Sequence, residues 1–204
     1  MTPTRIIIFA KAPQPGFAKT RLIPALGAEG AAELAQQMLF NTLHEAQAAD
    51  IGTVELCSTP NIDDIAWQGL TIPVGIEISD QGEGDLGARL ARASERAIDN
   101  GESVILIGTD CVEISAALLR EASQSLHEHD AVIHCTADGG YALLGLKRYS
   151  AVLFSDMPWS TDAVASTTIA RIGQLGWSLH VGQLLHDVDA PQDLKYLSPK
   201  MVVA

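Results

Sequence analysis

The sequence of 204 residues has few cysteines and no long apolar run. Its cysteines, Cys57, Cys111 and Cys135, form no Cys-x-x-Cys pair, which argues against a structural zinc site and against a disulfide framework. No apolar run approaches the ~20 residues that span a bilayer, and the apolar segment after Arg5 is too short for a secretion signal. We therefore expect a cytoplasmic protein that does not insert into membranes.

Basic residues are also scarce, and the formal net charge is −12. Such an excess of negative charge disfavours binding to nucleic acids and to anionic membranes. Every charged residue before Glu29 is basic, namely Arg5, Lys11, Lys19 and Arg21. This acid-free segment predicts a local anion-binding site, the alternative being a chance distribution.

The pattern of apolar residues predicts an α/β fold in one domain over residues 1–204. Helices are expected from Ala31, after the caps Asp85 and Ser115, over 161–175 and after Pro191. Strands alternate with the helices, which predicts a mostly parallel sheet, but no helix separates 131–135 from 141–146, so the sheet is expected to be mixed. The predicted strands are 5–10, 53–58, 74–78, 103–108, 131–135, 141–146 and 178–181.

Polar segments follow the predicted strands at the edge where open α/β sheets bind ligands. The loop 11–21 lacks the Walker A spacing, yet Lys19 and Arg21 can hold a triphosphate; the alternative is a solvated basic loop. Asp110 follows a buried strand and can hold Mg²⁺ or Mn²⁺, or it can simply cap a helix. A metal needs a second acid, for which Asp187 and Asp189 are the candidates.

Glycine-rich and arginine-rich segments follow the third predicted strand. Residues 82–87 spell Gly-x-Gly-x-x-Gly, but Asp85 and a neighbouring glutamate would repel a pyrophosphate, so a flexible substrate loop is the better interpretation. Arg89, Arg92 and Arg96 share one helical face. That face is predicted to be solvated, except for Arg89 beside the loop.

Two later segments are further candidates for ligand contact. Asp138-Gly139-Gly140 permits close backbone approach to a ligand and is also compatible with a hairpin turn. Residues 158–161, Pro-Trp-Ser-Thr, can dock an anion at a helix start or cap the helix. Cys111 has no neighbouring base and is expected to pack at a helix start.

Taken together, six motifs resemble an uncharacterised glycosyltransferase-like family, the DUF2064 type, of the GT-A superfamily. Its more distant relatives include the guanylyltransferases for phospholactate and molybdenum cofactor. Val112 departs from the family, which usually has proline at that position. The motifs are Phe9-Ala-Lys-Ala-Pro-x-Pro-Gly-x-x-Lys-Thr-Arg-Leu22, Gln81-Gly-x-x-Asp-Leu-Gly-x-Arg89, Gly108-Thr-Asp-Cys111, Asp138-Gly-Gly-Tyr-x-Leu-x-Gly-Leu146, Pro158-Trp-Ser-Thr161 and Asp187-Val-Asp-x-Pro-x-Asp-Leu194.

The resemblance implies a three-layer α/β/α sandwich with the nucleotide-diphospho-sugar transferase fold, and Mg²⁺ or Mn²⁺ held by Asp110 and Asp189. The resemblance and the polar loops together predict one site for a nucleotide and an acceptor. Catalytic roles are expected for Asp110, Lys19 and Asp138; nucleotide or phosphate contacts for Lys11, Pro15, Gly16, Lys19, Arg21, Asp85 and Arg89; and acceptor contacts for Gly139, Gly140, Tyr141, Trp159, Ser160 and Thr161.

The expected activity is a metal-dependent transferase with a nucleotide substrate and a small-molecule acceptor. It is either a glycosyltransferase using a nucleotide sugar or a nucleotidyltransferase using a nucleoside triphosphate, and the sequence leaves the two nearly equal. The alternative is a non-catalytic nucleotide-binding module or partner subunit. The base, the sugar, the acceptor and the oligomeric state, a homo-oligomer included, stay open.

Overall fold

The computed structural model describes residues 3–197, so the ends of the predicted 1–204 domain lie outside the described residues. None of the helices within this range is long and apolar enough to cross a membrane. The strands are β1 Thr4–Lys11, β2 Val54–Thr59, β3 Glu77–Asp80, β4 Ser103–Ile107, β5 Ala131–Cys135, β6 Tyr141–Leu146 and β7 Leu179–Val181. The α-helices are α1 Ile23–Ala49, α2 Leu86–Asp99, α3 Ala116–Glu128 and α4 Val164–Gln174, with 3-10 helices at Thr20–Leu22, Ile65–Trp67, Ala151–Leu153 and Pro191–Tyr196.

These strands form one mixed sheet in the order β3-β2-β1-β4-β6-β5-β7. Strand β6 runs antiparallel to both β4 and β5, and the other neighbouring strands are parallel. The mostly parallel mixed sheet predicted from the sequence is therefore confirmed. Because β6 is antiparallel, it begins at the edge where β1 and β4 end.

Helices cover both faces of the sheet. Alternation along β1 sends Ile6 and Ile8 into the core under α1 and α3, and Ile7 into the core under α2 and α4. All three side chains are fully buried, and each such burial contributes ~1.5–3 kcal/mol. The three-layer α/β/α sandwich expected from the resemblance is confirmed.

Some predicted boundaries are wrong for local reasons. Strand β3 is Glu77–Asp80 rather than 74–78, because Val74 is 97% exposed while Ile76 packs against the core beneath α1. Helix α1 begins at Ile23, with an interruption at Gly27, where the backbone is left-handed. Helix α4 begins at Val164 instead of residue 161.

The predicted solvated face of α2 is also wrong for two arginines. Arg92 donates to the backbone carbonyls of Gln81 and Glu83, and thereby holds the loop before α2. Arg96 pairs with the buried carboxylate of Glu55. These side chains fasten α2 to its neighbours and are not free in solvent.

Candidate functional site

A cavity of about 760 Å³ lies where β1 and β4 end and β6 begins. The topology explains this position, since the strand ends at this edge all lead into polar loops. Phe9, Leu86, Leu90 and Asp162 also line the cavity, although sequence reasoning missed them. The predicted residues that the fold brings together around it are Lys19, Arg21, Asp110, Asp138, Gly140, Tyr141, Trp159, Ser160, Thr161 and Asp189.

Other predicted site residues do not line the cavity. Lys11, the last residue of β1, donates to the carbonyl of Phe17 in the following loop at 3.2 Å. The Asp85 carboxylate caps α2 by accepting from Ala88 N at 2.8 Å, and Arg89 donates to the carbonyl of Gly84 at 2.9 Å. The predicted residues outside the cavity lining are Lys11, Pro15, Gly16, Asp85, Arg89 and Gly139.

Lys19 reaches from the loop after β1 into a group of acids. Its Nζ lies 2.6 Å from Asp110 Oδ1, 2.7 Å from the carbonyl of Val188 and 3.6 Å from Asp189 Oδ1. The Lys19 side chain is only 5% exposed. The lysine is thus the internal counter-ion of two acids that are distant in the sequence.

Two loops are tied together so that their acids face one another. Val188 N donates to the carbonyl of Asp110 at 2.9 Å, and Cys111 forms an antiparallel bridge with Asp187. Helix α3 is capped by Ser115, so the helix-cap role considered for Asp110 is wrong. Cys111 is buried in the bridge between the loops and does not lie at a helix start.

Burial and, after it, repulsion between carboxylates raise the pKa values of two acids of this site. Burial, followed by the charges of Asp110 and Asp189, raises the pKa of Asp187 to about 7. The pKa of Asp189 is raised as well, mainly by burial and then by Asp110, while Lys19 opposes the rise. The group holds more negative charge than one lysine balances. Within residues 3–197, however, no set of three acid, histidine or cysteine side chains is already arranged as a metal site.

Glu113 and His186 strengthen the contact between the same two loops. Glu113 Oε2 accepts from His186 N at 2.7 Å and lies 3.1 Å from His186 Nδ1. The imidazole stacks on Tyr196 with ring centroids 4.2 Å apart. This pair fixes the segment that carries Asp187. Sequence reasoning missed it because the partners are 73 positions apart, and only the place of His186 beside Asp187 hinted at it.

Asp138 and its glycines form the hairpin turn between β5 and β6. Asp138 Oδ1 accepts from Thr136 Oγ1 at 2.5 Å and from Gly140 N at 3.1 Å. Gly139 has φ +93°, and a Cβ there would collide with the backbone of Asp162. The close approach at Gly139 is therefore to the protein's own chain. At this glycine the expected approach to a ligand is wrong, whereas the hairpin turn is confirmed.

The segment before α4 lines the cavity and leads into the helix. Ala163 occupies the cap position of α4 and makes no side-chain hydrogen bond. Thr161 Oγ1 donates to the carbonyl of Pro158 at 2.7 Å, and Ser160 has a left-handed backbone with φ +63°. Thr161 Oγ1 also accepts from the N–H of the cap residue Ala163 at 3.3 Å, and both Ser160 and Thr161 line the cavity.

Comparison with known proteins connects this site to a family and to a fold. The family described as "Uncharacterized protein conserved in bacteria (DUF2064)" matches residues 42–161. A search of the curated proteins gave no match. Among solved structures, a candidate nucleotide-diphospho-sugar transferase from Desulfovibrio desulfuricans G20 is 27% identical, with a TM-score of 0.87 over 98% of this chain and 88% of that one.

More distant structures share the fold at low identity. Rv0371c from Mycobacterium tuberculosis H37Rv, in complex with manganese, is 16% identical, with a TM-score of 0.55 over 96% of this chain and 98% of that one. A cytidylyltransferase from Leptospira borgpetersenii serovar Hardjo-bovis is 14% identical, with a TM-score of 0.61 over 99% of this chain and 90% of that one. The α/β architecture is the one found in nucleotide-diphospho-sugar transferase structures.

Proposed function

The chain belongs to the DUF2064 family of conserved bacterial proteins, and we propose that it is a transferase that uses a nucleotide substrate and a divalent metal. The observation that carries the proposal is the meeting of Lys19 and Arg21 with Asp110 and Asp189 in one cavity at the strand ends. The names of two fold neighbours, a candidate nucleotide-diphospho-sugar transferase and a cytidylyltransferase, point to the same substrate class.

The acids fit a hard divalent cation. Asp110 and Asp189, with Asp187 beside them, offer the carboxylate oxygens that Mg²⁺ and Mn²⁺ prefer. Lys19 already places a positive group between Asp110 and Asp189, so a cation is accommodated there. A bound metal would neutralise charge on the diphosphate part of the nucleotide substrate. The manganese complex of Rv0371c agrees with this assignment.

We favour glycosyl transfer over nucleotidyl transfer because few cations line the cavity. Among the described residues that line it, only Lys19 and Arg21 are cationic. A triphosphate and its transition state call for more positive charge than a nucleotide sugar does. The site therefore suits a nucleoside diphosphate leaving group better than a triphosphate substrate.

The proposed reaction joins an acceptor hydroxyl to the anomeric carbon of the sugar. The new bond forms between the hydroxyl oxygen and that carbon, while the bond from carbon to diphosphate oxygen breaks and leaves its electron pair on the nucleoside diphosphate. Asp138 is our candidate for the base that takes the hydroxyl proton. Its Oδ1 is held by Thr136 and Gly140, and Oδ2 makes no hydrogen bond within residues 3–197.

Calorimetric titration with nucleotide sugars and nucleoside triphosphates, each with and without Mn²⁺, tests the proposal. We expect Mn²⁺-dependent binding of a nucleotide sugar, and its loss in Asp110→Asn. Asp63→Asn, at an exposed turn away from the cavity, is the matched control and should bind normally. Turnover is then followed as the release of nucleoside diphosphate.

Three other results of this experiment would each contradict a part of the proposal. Release of pyrophosphate from a triphosphate would establish nucleotidyl transfer instead. Binding without turnover would favour a non-catalytic module, provided that a broad set of acceptors had been supplied. Absence of any metal-dependent nucleotide binding would refute the nucleotide site itself.

A further inference from the structure

The side of the cavity that adjoins the core under α2 and α4 has a distinct lining, which we call the acceptor pocket. It is formed by the first turns of α2, by β1, by the turn between β5 and β6 with the start of β6, and by the segment before α4. Trp159 lies against α2, since a Cβ on Gly87 would be 3.0 Å from Trp159 Nε1. The residues of the acceptor pocket are Phe9, Leu86, Leu90, Asp138, Tyr141, Trp159 and Asp162.

From this lining we infer that the acceptor is an uncharged molecule with hydroxyl groups and an apolar portion, and not a phosphate or carboxylate. The inference rests on the proposed function and adds the substrate class to it. It depends on two independent observations, the charges of the pocket and its unpaired polar groups.

The first observation is the negative charge of the side chains that line the acceptor pocket. The acceptor pocket contains two carboxylates, Asp138 and Asp162, and no cation among the described residues that form it. Both cations of the cavity, Lys19 and Arg21, come from the loop after β1 and its following 3-10 turn, beside the metal acids. An anionic acceptor would therefore meet two like charges without a counter-ion, which disfavours its binding.

The second observation is a pair of buried donors. Tyr141 Oη and Trp159 Nε1 are inaccessible to solvent and have no hydrogen-bond partner within residues 3–197. Buried polar groups normally have partners. Both side chains line the cavity, so an oxygen atom of a ligand can pair with either donor when that donor turns towards the cavity. Hydroxyl oxygens meet that need without adding charge.

The apolar walls account for the remaining part of the acceptor. Phe9, Leu90, Tyr141 and Trp159 belong to or pack against the apolar core under α2 and α4, and they present one side to the cavity. Aromatic rings of this kind commonly support the apolar faces of sugars and of other ring compounds. An acceptor with a ring or a short apolar chain would bury surface there.

The experiment supplies isotope-labelled nucleotide sugar to the full chain with Mn²⁺ and two acceptor pools. The pools are small-molecule extracts separated by anion exchange into an uncharged fraction and an anionic fraction. Donor binding is measured first by calorimetry on the same protein, so that failure of the donor site is recognised separately. Without donor binding, the proposed function fails and the inference fails with it.

With donor binding established, we expect label to enter the uncharged fraction at least ~10-fold faster than the anionic fraction, because juxtaposed like charges disfavour an anionic acceptor. Label mainly in the anionic fraction, or in neither fraction, would overturn the inference while leaving donor binding intact. Asp162→Lys should increase labelling of the anionic fraction several-fold. Asp63→Lys, the same charge change outside the cavity, should not.

Discussion

Replacing Lys19 by methionine tests whether the lysine acts as the counter-ion of the metal acids. The substitution keeps most of the apolar stem but removes the ammonium group that lies 2.6 Å from Asp110 and 3.6 Å from Asp189. Breaking a fully buried ion pair costs ~3–5 kcal/mol. Here the acids are 50% and 43% exposed, so solvent screens them, and we expect a loss of about 2 kcal/mol.

Thermal unfolding with a chelator and with excess Mn²⁺ measures this effect. For a chain of this length, 2 kcal/mol corresponds to a Tm lower by about 4–8 °C in the chelator. Mn²⁺ should restore most of the difference, because a divalent cation can replace the missing charge between the acids. The Mn²⁺-induced rise in Tm should therefore be larger in Lys19→Met than in the unaltered protein.

Lys11→Met is the matched control, since Lys11 ends β1 directly before this loop and its side chain makes a single hydrogen bond within residues 3–197, to the carbonyl of Phe17. It should change the free energy of unfolding by less than about 0.5 kcal/mol, as surface substitutions do, and should therefore leave Tm nearly unchanged. An equal loss of Tm for Lys19→Met in chelator and in Mn²⁺ would show a packing role unrelated to the metal. An unchanged Tm in both conditions would refute the counter-ion role altogether.

Three further predictions follow from the site and its supporting turn. Asp187 has a pKa of about 7, so its proton competes with the metal. The affinity for Mn²⁺, measured by calorimetry, should therefore rise up to ~10-fold per pH unit towards pH 7 and level off above it. A flat profile would exclude Asp187 from the metal site. Asp138→Asn should retain nucleotide binding but slow turnover ~10²–10⁴-fold, and normal turnover would remove Asp138 as the base. Gly139→Ala should lower the free energy of unfolding, measured in urea, by more than ~2 kcal/mol. Gly101→Ala is the control, because Gly101 has a similar positive φ but open space around it, and it should cost about 1 kcal/mol.

Features set by local pattern were predictable from the sequence. The run Ser103–Ile107 is buried at every position, and its continuous apolar character indicated a central strand. The carboxyl ends of such strands meet at one edge, which placed Asp110 near the other polar loops. The caps at Asp85 and Ser115 were predictable because each is a short polar side chain directly before a periodic helix.

Features that depend on distant pairing were not predictable. Lys19 and Asp110 are 91 positions apart, and the basic character of the loop suggested only a ligand anion, whereas the protein supplies its own acids. Gly139 suggested a ligand contact because nothing local shows that the backbone of Asp162 passes beside it. The third strand was predicted too early in the sequence because Val74 and Ile76 follow an apolar pattern typical of a strand. In the structure Ile76 packs against the core under α1 and α3, and β3 begins after it.

One electrostatic arrangement accounts for both unusual groups of the site. The tethered loops hold Asp110, Asp187 and Asp189 together whether or not a cation is present, because the tether is made by the backbone and by Glu113. The excess negative charge is then reduced in two ways, by the buried Lys19 ammonium and by the raised pKa of Asp187, which favours its protonated form below about pH 7. A divalent cation would make both unnecessary, which would free Lys19 to face the phosphates of a nucleotide. Metal and nucleotide would therefore each favour the binding of the other, by the same factor, since coupling between two binding sites is reciprocal.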